Sequence, residues 1–149
     1  MSKIYDIAIR LLSFRPRSEK ELRDRLIEKK FDRAEIEATI LRLKKEKLLD
    51  DEYFAKAWIR HRTIFGAKGR SFISRELAYK GVDKDLIQKT LEKEYNEKKE
   101  EKLAQDVAAK KLKTLHEKDR HKRYEKLVGF LSRRGFSWEI IKRVLNEIH

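Results

Sequence analysis

The chain has 149 residues and a formal net charge of +13, with 39 Lys and Arg against 26 Asp and Glu, and charged residues make up 44% of it. It contains no Cys, which excludes a disulfide framework, a thiolate zinc site and a cysteine nucleophile. No strictly apolar run exceeds three residues, so the sequence predicts neither a membrane span nor a signal-peptide core, and a cytoplasmic location is expected.

A basic surplus of this size predicts a polyanionic partner. The apolar residues are spread regularly, which argues against disorder despite the charge. No segment alternates with period two and β-branched enrichment, so no strand is predicted. Helical spacing runs throughout. Ile4, Ile7, Ala8, Leu11 and Leu12 form a first stripe, broken at Arg15-Pro16-Arg17 because a residue before Pro avoids the α region. Ser18 and Glu21 match a capping box that opens a second helix. Asp32 and Glu35 match another, opening a third helix with Ile36, Ile40 and Leu43 on one face. Asp50 or Asp51 caps a fourth helix that runs to about Phe65. Gly66-Ala67-Lys68-Gly69 is a turn, and the fifth helix ends near Lys80 with Gly81 as its C′ glycine. Asp83 caps the sixth helix. A charged seventh covers about Asn96 to His116, with Leu103, Val107, Leu112 and Leu115 inside. An eighth runs from about Asp119 to Arg134 and stops at Gly135, and Ser137 caps the last, from Trp138 to the C-terminus.

A repeat lies in the spacing. When the chain is aligned on Phe31, Val82 and Phe136, the residues nine before are Leu22, Ile73 and Leu127, and those five before are Leu26, Leu77 and Leu131. The caps Asp32, Asp83 and Ser137 follow by one residue, Ile36, Ile87 and Ile141 by five, and Ile40, Leu91 and Leu145 by nine. The periods are 51 and 54 residues. The expected fold is therefore all-α, three tandem three-helix, helix-turn-helix-like repeats over residues 1–49, 50–96 and 97–149. Such units stack on their neighbours into an elongated, curved molecule whose concave face suits a linear partner.

Several stretches resemble the RecX family. Leu49-Asp50-Asp51-Glu52-Tyr53-Phe54-Ala55, Arg60-His61-Arg62, Gly66-Ala67-Lys68-Gly69, Glu76-Leu77 and Lys80-Gly81-Val82 are similar to its middle. Arg133-Arg134-Gly135-Phe136 resembles its C-terminal repeat, and Ala8-Ile9-Arg10-Leu11-Leu12 with Ser18 and Glu21-Leu22 its opening. The resemblance covers essentially the whole chain. It implies a regulator of the RecA recombinase that binds the RecA–DNA filament, lies in its groove, and most often inhibits ATP hydrolysis and strand exchange. It also implies three helical units. The first unit has Lys30 where the others have Gly, so a different corner is expected there.

Two basic regions are the candidate contact surfaces. Residues 56–80 hold Lys56, Arg60, Arg62, Lys68, Arg70, Arg75 and Lys80 against Glu76, a local surplus of six. On the fourth helix Phe54, Ala57, Trp58, His61 and Phe65 make the expected buried stripe, with Lys56 and Arg60 opposite and Arg62 on the flank. On the fifth, Ile73 and Leu77 point inward and Arg75 outward. Lys68 and Arg70 bracket a helix start, where free backbone N–H groups favour an anion, a candidate phosphate cradle. The second region is Lys110, Lys111, Lys113, Lys118, Arg120, Lys122 and Arg123, with Glu117 and Asp119 between them, around the turn joining the seventh and eighth helices. Contacts of this kind grip phosphates without reading bases, so single- and double-stranded DNA are both expected partners, independent of sequence.

Other signals are bland. Asp50-Asp51-Glu52 suits capping better than a magnesium site. Gly66 and Gly69 match the spacing of a KH-domain clamp, but that fold needs a sheet, and a P-loop needs a different motif after a strand. His61, His116, His121 and His149 have no ligand spacing, and His61 is expected to pack on the apolar face. Trp58 and Trp138 fall on helical stripes and read as core. No nucleophilic triad, carboxylate pair or nucleotide motif can be placed, so no enzyme, cofactor or metal is expected, and the chain is read as a monomer. The alternatives are a helix-turn-helix DNA-binding protein and a helical-repeat adaptor for an acidic protein. Against the former, the third helices carry Glu35, Glu37, Glu46, Asp85, Glu92, Glu94, Glu139 and Glu147, which DNA would repel.

Overall fold

The computed structural model describes residues 2–148, and its regular structure there is all helical. The helices are α1 (Lys3–Phe14), α2 (Glu19–Glu28), α3 (Arg33–Lys45), α4 (Asp51–Ile64), α5 (Arg70–Tyr79), α6 (Lys84–Glu94), α7 (Glu97–Thr114), α8 (Arg120–Arg133) and α9 (Trp138–Ile148). His149 lies outside the described residues.

Side-chain caps start most of them, each satisfying N–H groups that the helix itself leaves open. Ser18 and Glu21 form the reciprocal capping box of α2. Asp32 caps α3 through the Ala34 N–H, without the returning bond from Glu35 that a box requires. Asp50 accepts from the N–H groups of Glu52 and Tyr53, and Asp83 from those of Asp85 and Leu86.

Each second helix ends in the same corner. At α2 the Phe31 N–H reaches the Leu26 carbonyl and the Lys30 N–H the Ile27 carbonyl. Val82 and Gly81 repeat this on Leu77 and Ala78, and Phe136 and Gly135 on Leu131 and Ser132. This Schellman pattern requires a left-handed residue at its pivot. Gly81 and Gly135 supply it with φ of 83° and 90°, and Lys30 adopts it too, at 66°. The first corner is therefore built like the others, contrary to the expectation drawn from Lys30. The hydrogen-bond pattern and the inward Phe31 outweigh a backbone cost of roughly 1–2 kcal/mol for a side chain in that region.

The helices form three units, α1–α3, α4–α6 and α7–α9, each around its own apolar core. Leu22, Leu26, Ile36 and Leu43 centre the first, Ile59, Ile73, Leu77 and Ile87 the second, and Leu127, Leu131, Ile140 and Ile141 the third. Every helix pair with extensive contact belongs to one unit. The accessible surface of 9788 Å² exceeds the roughly 8,000 Å² expected of a compact globule of this mass, as separate cores in a row require.

Three expectations about faces are corrected. The inward stripe of α4 is Phe54, Ala55 and Ile59, not Phe54, Ala57, Trp58, His61 and Phe65. His61 is exposed, and Phe65 is 78% exposed. Both stripes have helical spacing, and packing against α5 and α6 selects the one with Ala55, whose small side chain permits close approach. His61 instead sits between the rings of Trp58 and Phe65, with centroids 6.2 and 5.2 Å away. Trp138 is 53% exposed at the first position of α9, where no neighbouring helix covers it. Trp58 is half-buried at the edge of the second core.

Two polar joints connect the units, built the same way. The Ser18 hydroxyl before α2 donates to the Lys80 carbonyl after α5 at 2.6 Å, and the Gly69 N–H before α5 donates to the Arg134 carbonyl after α8 at 2.7 Å. A carboxylate from the next unit's first helix takes the adjoining N–H. Asp51 accepts from Glu19 and Glu100 from Arg70, both at 2.8 Å. Thus α8, α5 and α2 meet end to end, the partially negative terminus of one against the partially positive terminus of the next. Asp51 does not cap its own helix; it holds unit one.

Candidate nucleic-acid interface

The turn between α4 and α5 is held tightly. Gly66 and Lys68 both donate their N–H to the Arg62 carbonyl at 3.2 Å, Ala67 is left-handed, and the buried Tyr95 hydroxyl donates to the Lys68 carbonyl at 2.8 Å. Burial raises the pKa of that hydroxyl. The outermost N–H groups of the α5 start are then consumed by the second joint, on Arg134 and Glu100. The phosphate cradle expected between Lys68 and Arg70 is thus filled from within the chain, by partners more than twenty residues away.

Acids from within and outside the first basic region pair with its cations. Lys56 pairs with Glu52 at 3.6 Å, Arg60 with Glu94 at 3.7 Å, and Arg70 with Glu92 at 3.2 Å. Arg62 grips Glu76 with both its Nε, at 2.9 Å, and its Nη2, while the Trp58 Nε1–H donates to the same carboxylate at 3.1 Å. Lys80 donates to Glu21 at 3.0 Å. Burial alone would raise the Glu21 pKa, but hydrogen bonds from Arg15, Lys80 and the Ser18 N–H outweigh it and lower the pKa overall. No carboxylate is in ion-pair contact with Lys68 or Arg75 among the described residues. The Lys68 ammonium lies 4.5 Å from the centre of the Phe72 ring, and the Arg75 Nε–H donates to the Ser71 carbonyl at 3.4 Å.

Cations and rings alternate over this surface. Lys80 and Arg62 lie over Trp58 at 4.4 and 5.0 Å, and Arg62 and Lys68 over Phe72 at 5.8 and 4.5 Å. Arg134, whose guanidinium donates to the Gly66 carbonyl at 2.6 Å, lies 4.7 Å over Phe130. Lys111 covers the same ring at 5.0 Å. Lys111, from the second basic region, thereby joins the surface of the first. Lys110, Lys113 and Lys122 are exposed, and Arg123 turns back to the Glu117 carbonyl at 3.3 Å. The sequence did not single out Arg133, Arg134, Phe72, Tyr79 or Phe130 as contact residues. The signal that was available is aromatics interleaved with cations in 70–80 and 130–134.

The joint carboxylates have an electrostatic consequence. Burial raises the pKa of both Asp51 and Glu100, against the lowering effect of the N–H each accepts. Over the window between the ordinary carboxylate pKa and the raised one, the folded chain holds a proton that the unfolded chain has released. Stability therefore falls as pH rises through that window. Glu100→Gln is expected to flatten this dependence and still accept from Arg70. Glu100→Ala, which strands the N–H, is expected to destabilise by about 1–3 kcal/mol. Denaturant midpoints measured between about pH 4 and about pH 7 check both.

Among the described residues no helix is long and apolar enough to cross a membrane, and no group of three or more His, Asp or Glu is placed to hold a metal ion. The fold defines a tandem array of three three-helix domains. Models of the first, second and third three-helix domains of RecX match residues 5–43, 50–91 and 99–145. Regulatory protein RecX of Chlorobium phaeobacteroides is 35% identical over 146 residues, covering 98% of this chain and 93% of that protein. Regulatory protein RecX of Oceanobacillus iheyensis is 36% identical over 148 residues, and the chain spans 54% of its length. The crystal structure of RecX from Lactobacillus salivarius superposes with a TM-score of 0.88 and 26% identity, covering 97% of this chain and 94% of that one. The chain belongs to the RecX family.

Proposed function

We propose that the chain is a non-catalytic regulator that binds the RecA–DNA filament and lowers its ATP hydrolysis and strand exchange. The observation that carries this reading is the continuous face of cations and aromatic rings from Lys80 through Arg62 and Lys68 to Arg134 and Lys111. It runs across two units of an extended molecule, which suits a partner that is itself extended and negatively charged. The family relationship supplies the recombinase. Lodged along a filament, the chain bridges neighbouring subunits and hinders the motions that accompany nucleotide hydrolysis.

A base-reading helix-turn-helix mode is disfavoured by the acids of the third helices. Glu37 binds Arg23, Glu92 binds Arg70, Glu94 binds Arg60, and Glu46 accepts from Tyr5. They anchor their own units and present negative charge where a groove-reading helix needs donors. The deciding experiment is the DNA-dependent ATPase of the cognate recombinase with this protein titrated in. Hydrolysis is expected to fall with a saturable dependence on protein; an unchanged rate at saturation overturns the reading.

A further inference from the structure

The cation–aromatic face contains an open groove between unit two and the end of α8, with a volume of about 800 Å³. Trp58, Phe72 and Tyr79 line it with rings, and Arg75, Lys80 and Arg133 with charge. Its acid, Glu76, is already neutralised by Arg62 and accepts a hydrogen bond from Trp58. Arg75 and Arg133 have no carboxylate in ion-pair contact among the described residues. Tyr79 is 86% exposed, with no aromatic neighbour stacked on it. An exposed aromatic ring beside unpaired guanidinium groups has unused capacity of two kinds, a flat apolar surface and a positive charge.

We infer that this groove takes one or two unpaired nucleotides of a single-stranded nucleic acid, with a base stacked on Tyr79 and the flanking phosphates on Arg75 and Arg133. The inference rests on the nucleic-acid part of the reading above and gives it a site. The volume is within the roughly 300–1,000 Å³ of pockets that hold a drug-sized group, the size of a nucleoside unit. A duplex keeps its bases stacked on one another, so it could satisfy the arginines and would leave the rings in water. An acidic peptide would do the same. A single strand uses both, because every base has a π-face and every linkage a charge. The site has no donors fixed in a pattern that would select one base, and stacking is tolerant of sequence.

The test is binding of fluorescein-labelled oligothymidylate and of a labelled duplex, followed by anisotropy without recombinase. Tyr79→Ala is expected to weaken the single strand by about tenfold or more and leave the duplex unchanged, while Tyr79→Phe binds as the parent does. Arg75→Ala combined with Arg133→Ala is expected to weaken both and to flatten the salt dependence of the single strand by about 0.7 for each phosphate no longer held. Equal single-strand affinity of the parent and Tyr79→Ala overturns the inference, even where the ATPase of the recombinase still responds. Equal losses for single strand and duplex in Tyr79→Ala also overturn it, as does a groove whose variants lose only an acidic polypeptide such as polyglutamate. Tyr79 is so exposed that its substitution is expected to leave the fold intact, and circular dichroism of the variants checks this.

Discussion

Gly135→Ala is expected to part the third unit from the second. A Cβ there would lie 2.4 Å from that of Phe72 and 2.8 Å from the Phe72 nitrogen, and the residue sits at a φ of 90°. The obstacle is backbone and Cβ, which cannot rotate away as a flexible side-chain tip can. Gly69 faces the same joint from the other side, where a Cβ would meet the Gly135 carbonyl oxygen at 2.4 Å. The left-handed conformation and the overlap together cost about 3 kcal/mol. That corresponds to a fall of roughly 6–12 °C in the midpoint of the affected transition. Gly129→Ala provides the contrast. Its new methyl would meet only the guanidinium end of Arg133, at 3.0 Å, within α8, so it is expected to stabilise by about 0.5–1 kcal/mol. Thermal denaturation of both variants beside the parent settles the comparison, and a Gly135→Ala protein as stable as the parent removes the role assigned to the joint.

The second large effect concerns regulation. Removing Lys68, Arg75, Lys111 and Arg133 together, each to Ala, is expected to reduce affinity for DNA and for the filament by about 100-fold near physiological salt, with helicity retained. Those four have no carboxylate partner among the described residues, so no buried charge is stranded. With four phosphates no longer neutralised, the duplex salt slope would fall by about 3–4. By contrast, Arg62→Ala leaves Glu76 half-buried without its cation, so its loss of binding would mix with a loss of stability. The measurement is ATPase inhibition and DNA affinity of the four-fold variant across a salt series. Parental inhibition in that variant would move the contact surface elsewhere.

Local chemistry was readable from the sequence and tertiary pairing was not. Ser18, Asp50 and Asp83 cap helices because a short polar side chain reaches N–H groups two or three residues ahead, an interaction contained in a few letters. The corner residues Phe31, Val82 and Phe136 were found for the same reason, and the repeat multiplied the signal by three. Asp51 shows the boundary. Beside Asp50 in sequence it is indistinguishable as a cap, yet it serves Glu19 in another unit. The stripe on α4 was ambiguous because Phe54, Ala55 and Ile59 and the heavier set through Trp58 and Phe65 both repeat with the helix. Only the placement of α5 and α6 decides between them. The candidate basic region was counted with Glu76 alone, and Glu92 and Glu94 enter it from α6 by folding. Conversely, Arg133 and Lys111 reach the face because the Gly69–Gly135 approach sets the C-terminal end of α8 against the start of α5, a contact between residues 66 positions apart.

The two joints differ in kind from the three cores they connect. Each core is an apolar cluster within one unit, whereas each joint is chiefly a few hydrogen bonds to backbone groups, with the Lys80–Glu21 ion pair at the first and Leu103 touching both flanking cores at the second. A hydrogen bond exchanged with water costs about 1 kcal/mol net. The chain therefore behaves as a three-link jointed rod. Its first elbow can be reset for a few hydrogen bonds, and its second for a few hydrogen bonds and a shift of Leu103 between the cores on either side. A rod of this kind can adjust its bend to the pitch of whatever it lies along.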